Sequence, residues 1–176
     1  MRRDSALAWI ALCALLGCKT LTPPAPIAAL ALPKVSDCPG GLRSTNEIEG
    51  DWTINERIRV VGNGVDESFG LVLQKTGPKL VLLGLTPFGA KAFGVTQIGT
   101  ETWVESYLGP VLAVPPQNVL RDVHRAHFLI VDDPTLDARA VTRDADGVIH
   151  IAARECGYES TLAPVSATPP AGAPHE

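Results

Sequence analysis

What most constrains this chain is how often it turns. Gly62-Asn63-Gly64, Thr76-Gly77-Pro78-Lys79, Thr86-Pro87-Phe88-Gly89 and Gly99-Thr100-Glu101 each interrupt a run of strand-forming residues. Connections this short leave no room for a crossover helix, so consecutive runs must pair antiparallel. The region reads as an antiparallel meander.

The runs themselves alternate. In Glu56 to Val61, Ile58 and Val60 face away from Arg57 and Arg59. In "DESFGLVLQK", Phe69, Leu71 and Leu73 share one face, with Ser68, Val72 and Gln74 on the other. Leu80 to Leu85 is apolar on both faces. "KAFGVTQI" places Phe93 and Val95 on one side and Ala92, Thr96 and Ile98 on the other, and "TWVESYL" alternates through Trp103, Glu105 and Tyr107.

After Pro115-Pro116 the period changes. Val119, Leu120, Val123, His127 and Ile130 recur at helical spacing until Asp132-Asp133-Pro134, which predicts one amphipathic helix with a single apolar stripe. A second, smaller set of strands follows in "ARAVTR", "VIHIAARE" and "GYESTLAP", with a turn at Asp146-Gly147, for about seven strands and one helix in all. The fold class is mainly β (α+β): a curved antiparallel sheet with a helical lid. One face of the sheet packs under the helix; the other either packs elsewhere or lines a hollow. Leu71, Leu73, Leu82, Phe93 and Val95 are the candidates for lining such a cavity.

The ends of the chain belong to a different kind of sequence. Residues 1–17 join a basic start, Met1-Arg2-Arg3, to an apolar run from Ala6 to Gly17 that is too short to span a bilayer and fits an export signal. The run closes on Leu15-Leu16-Gly17-Cys18, which resembles the lipobox of bacterial lipoproteins. That resemblance implies a lipidated Cys18 as the mature N-terminus; an ordinary secretory signal that contains a cysteine is the alternative. Several acyl chains, at about 0.8 kcal/mol per buried CH₂, make a permanent anchor. Residues 18–37, rich in Pro and Ala, read as a tether, 38–162 as the folded β domain and 163–176 as a disordered tail.

Of the four cysteines, Cys13 leaves with the signal and Cys18 carries the lipid, so Cys38 and Cys156 remain. In an oxidising compartment such a pair favours a disulfide, with two buried free thiols as the alternative. The net charge of −4 disfavours nucleic acid and anionic headgroups as partners, so membrane contact must be hydrophobic or covalent.

The order of the pieces, "ERIRVV", "SFGLVLQKTG", "KLVLLGLTPFGAKAFGV", "TWVESY" and "PPQNVLRDVHRAH", resembles the LolB-like outer-membrane lipoproteins and, more closely, the allied DUF3261 lipoproteins. The resemblance covers about Trp52 to Phe128; beyond Phe128 this chain is shorter than the LolB pattern. It implies a LolA/LolB-like half-open β-barrel under helices, with a hydrophobic cavity that accepts acyl chains or lipidated protein and needs no cofactor. It also implies that Phe88, with Pro87 beside it at the strand-turn-strand tip, touches the membrane. A smaller barrel implies a smaller cavity or none.

Other chemistry is thinly patterned. Asp144-Ala145-Asp146-Gly147 lacks the further ligands of a calcium loop and reads as a hairpin turn. His124 and His127 have no third ligand patterned with them, and no metal is expected. Nucleophile elbows, phosphate loops and Cys-His pairs are missing, so no catalytic residue is assigned and no enzyme is expected. Trp52 and Trp103 are assigned to core packing. The sequence thus predicts a lipid-anchored protein of the bacterial outer membrane, facing the periplasm, that binds acyl chains or lipidated cargo in lipid or lipoprotein transfer. The competing expectation is a structural or adaptor lipoprotein with a filled core that holds a protein partner at the membrane.

Overall fold

The computed structural model describes residues 34–38, 40–109, 112–128 and 140–165. Cys18, the signal segment 1–17, residues 18–33 of the tether, the tail from residue 166 and the helical stripe's Ile130 lie outside the described residues.

The alternating runs form β1 (Trp52–Gly62), β2 (Val65–Thr76), β3 (Lys79–Leu85), β4 (Lys91–Ile98) and β5 (Glu101–Ser106), then helix α1 (Pro116–His127), then β6 (Val141–Arg143), β7 (Ile149–Ala153) and β8 (Tyr158–Pro164). There are eight strands among the described residues. Asn63 and Gly64, both at positive φ (50° and 78°), make the tight turn between β1 and β2, a conformation glycine and asparagine adopt at least cost.

The later strands do not form a separate unit. β8 pairs with β1, with Gly62 opposite Tyr158 and Glu56 opposite Pro164, so the order is β5-β4-β3-β2-β1-β8-β7-β6 in one antiparallel sheet. Its ends do not meet, and β5 and β6 are its edges.

The sheet's shape follows from what α1 touches. Asp122 bonds Ser160 on β8, and His124 bonds Gln97 on β4. Four strand spacings separate β4 from β8, about 19 Å in a flat sheet. Asp122 and His124 sit two positions apart, on opposite sides of a helix about 10–12 Å across. The sheet must therefore curl around the helix for both bonds to form.

The inward rows of the curl make the core. Ile58, Val60, Leu71, Leu73, Leu80, Leu82, Phe93 and Val95 meet Val119, Leu120 and Val123 of α1 in one buried cluster. Ala92, assigned by alternation to the opposite face from Phe93, is buried too. Register shifts between Gly84 and Leu85, where Gly84 faces Phe93 and Leu85 faces Lys91; Ala92 is the extra residue of that bulge. The helix closes at His127, with the Phe128 amide on the His124 carbonyl at 2.8 Å, earlier than the periodic run implies. No helix among the described residues is long and apolar enough to cross a membrane.

Candidate functional site

The interior has a floor, a filling and two stoppers. Leu71 and Leu73 on β2, Leu82 on β3, and Phe93 and Val95 on β4 are each at most 2 % exposed. All five share one face of the sheet and belong to the buried cluster that includes Val119, Leu120 and Val123 of α1. Phe93 sets its ring edge-to-face on Phe69, with centroids 5.4 Å apart, and lies over Gly84, whose missing side chain leaves the ring its space. At one end Thr45 plugs the interior. Its hydroxyl donates to the Pro78 carbonyl at 2.6 Å and accepts from the Gly99 amide at 2.7 Å, joining two hairpin turns. Leu112 and Val114, on the approach to α1, are buried with the core.

Polar groups hold the helix in this seat. His124 is fully buried. Its Nδ1 accepts from the Arg43 amide at 3.1 Å, so the proton sits on Nε2, which donates to Gln97 Oε1 at 2.8 Å. Gln97 in turn donates to the carbonyls of Arg43 and Gly99, both at 2.8 Å. Burial, with the nearby Arg43 charge, pushes the imidazole down to about 4, so it is neutral at pH 7.

Asp122 is the second clasp. Its carboxylate accepts from Ser160 Oγ at 2.9 Å and the Tyr158 hydroxyl at 3.3 Å, with Arg125 at 3.5 Å. Burial pushes it up to about 6, against the lowering pull of those partners, and burial with the Asp122 charge pushes the Tyr158 phenol up in turn. Asn118 is the third: its Oδ1 accepts from the Cys38 amide and its Nδ2 donates to the Ser36 carbonyl, both at 2.8 Å. Val35 is buried beside it, its amide on the Ala113 carbonyl, so the end of the tether is laid onto the helix start. No buried side-chain polar atom among the described residues lacks a partner.

Cys38 and Cys156 form a disulfide that fastens this segment to the 3-10 turn Arg154–Cys156 between β7 and β8. Glu155 joins the two sulfurs in a cluster of metal-ligand type, but the thiols are spent on each other and Arg125 holds Glu155 at 2.8 Å. The two helix histidines do not converge: His127 pairs with Glu56 at 3.1 Å while His124 stays on Gln97. Asp144 accepts from the amides of Asp146 and Val148, closing a hairpin turn.

The β3–β4 turn points away from all of this. Thr86 and Ala90 bond across it (amide to carbonyl, 2.8 Å), Pro87 is exposed at its shoulder, and Phe88 at its tip is 97 % exposed. Trp103, assigned to core packing, is instead 50 % exposed. The reason is position: it stands on the convex side of β5, an edge strand with no neighbour beyond it among the described residues. Trp52 is half-buried at the rim, its ring 5.7 Å from Phe128.

The residues that sequence reasoning missed are Asn118, Asp122 and Gln97. Asn118 and Asp122 lie outside the helix's apolar stripe, and only the fold gives them buried partners. A family model described as protein of unknown function (DUF3261) matches residues 53–152. No curated protein matches the chain.

Proposed function

We propose, starting from the fact that this chain belongs to the DUF3261 family, that it is a lipid-anchored, non-enzymatic protein of the bacterial outer membrane. It faces the periplasm and acts as an adaptor that holds a protein partner at the membrane. The observation that carries this reading is the packed interior: Leu71, Leu73, Leu82, Phe93 and Val95 are each at most 2 % exposed, in one cluster with Val119, Leu120 and Val123 of a helix whose buried polar groups are all bonded. A domain whose concave side is occupied by its own helix has its outer surface, tips and edges left for binding.

A second reading is favoured by the same surface seen differently. Moving α1 aside would uncover a contiguous apolar face, which is what an acyl-chain carrier of the LolB-like kind requires; α1 would then be the lid. On either reading Cys18 is the lipid attachment site, and the exposed Phe88 tip, with Pro87, is the membrane contact.

Two measurements test this. Metabolic palmitate labelling should mark the wild-type chain and not Cys18→Ser; label on both would remove the anchor. A fluorescent fatty acid titrated into residues 32–176 should give no saturable signal at micromolar concentration. Saturable binding would overturn the adaptor reading in favour of the carrier.

A further inference from the structure

The two edges of the sheet are not alike. β6 has three residues, too few to template much pairing, whereas β5 has six and among the described residues pairs only with β4. A strand in this position presents a row of backbone N–H and C=O groups that a further strand can take up. β5 is also bare on both faces: Trp103 is 50 % and Val104 36 % exposed, and Tyr107 and Leu108 continue the apolar surface past its end.

Charge decides what fits. Glu101, Trp103 and Glu105 share the convex face, since alternate residues of a strand do. Glu105 accepts the Tyr107 hydroxyl at 2.6 Å through one oxygen, Oε2. A second copy of this chain, paired antiparallel at full overlap, would set Trp103 against Trp103 and Glu101 against Glu105 twice. Like charges directly opposite destabilise a strand pair. The two glutamates thus guard the edge against its own kind and leave it open to the opposite charge.

We propose that β5 receives an added strand from a partner protein: an extended segment with Lys or Arg two residues to either side of an apolar residue, the basic pair facing Glu101 and Glu105 and the apolar residue facing Trp103. This deepens the adaptor reading by giving the partner's chemistry.

The test uses the full chain and a labelled heptapeptide, TKTITKT, followed by fluorescence anisotropy. Saturable binding is expected, with E101K/E105K weakening it about tenfold or more, two cross-strand charge pairs having been reversed. The charge-swapped peptide TETITET should prefer that variant. Alternate N-methylation supplies a readout that loose electrostatic attraction would not move. Methylating either the Thr amides or the Lys and Ile amides should abolish binding in one phase and spare it in the other. Equal binding of both methylated peptides, indifference to the charge reversal, or no binding of TKTITKT would each overturn the proposal. The fatty-acid titration reports on the adaptor reading separately, so the two failures are distinguishable.

Discussion

Gly84→Ala asks whether the interior is packed or hollow. A methyl group at Gly84 would overlap Cε1 and Cζ of the Phe93 ring and stand 2.8 Å from its Cδ1. In an open interior the ring would swing away, and the substitution would gain the about 0.5–1 kcal/mol that alanine holds over glycine inside a strand. Phe93 has no such freedom here: it is fully buried and its ring is set against Phe69. Overpacking a filled site costs about 1–3 kcal/mol, so the net effect runs from about zero to a loss of about 2.5 kcal/mol. For a domain of this size that lowers the melting temperature by up to about 10 °C. In a Phe93→Leu background the added methyl has room, and its penalty should vanish, a coupling that a double-mutant cycle by thermal or urea unfolding reads directly. A Gly84→Ala protein that melts higher than the parent would refute both the packed interior and the reading built on it.

Asp122, raised to about 6 from 3.8, binds a proton on folding between those values, so acidification from pH 6 toward 4 relieves its burial penalty; His124, lowered to about 4 from 6.5, does the reverse and loses stability as pH falls through 6.5 to 4. Relative to the parent, Asp122→Asn should lose stability and His124→Gln gain it across that window in urea titrations; slopes of the same sign would refute the assignment. Phe88→Glu should leave the melting temperature within about 1 °C while weakening liposome association of residues 32–176 about tenfold or more, given about 1.5–3 kcal/mol for burying a Phe side chain; a sharp fall in melting temperature would make Phe88 a packing residue. Cys38→Ser opens a link spanning 118 positions, worth about 4–5 kcal/mol in the chain-entropy account, and unreduced wild-type protein should show no labelled thiol at Cys38 or Cys156 after denaturation.

The strands were legible because their information is local: alternation places Leu71, Leu73 and Val95 on one side, and glycine and asparagine mark the turns. The same locality hid what joins distant parts. Asp122 is an ordinary polar helix residue until Ser160, 38 positions away, donates to it, and Asn118 until the Cys38 amide, 80 positions away, does the same. Alternation reads alike on central and edge strands, so Trp103 looked like core. One extra residue at the bulge turned Ala92 inward against its period. The interior side chains were foreseeable from sequence, whereas their filling by α1 depends on long-range closure of the sheet.

The pairing of β1 with β8 also governs how this chain comes to exist. The central strand finds its second neighbour only when the last strand arrives, about a hundred positions later in the sequence. Loops of that span close slowly, and non-local pairing is the slow step in β proteins. While the C-terminal segment is still being made, β1 to β5 can form a five-stranded meander with its β1 edge bare and no β8 to cover it. Such an intermediate is sticky. The finished fold carries a guarded edge at β5 and a short one at β6; the folding one carries, in place of the short edge, a long bare one at β1 that only completion can hide.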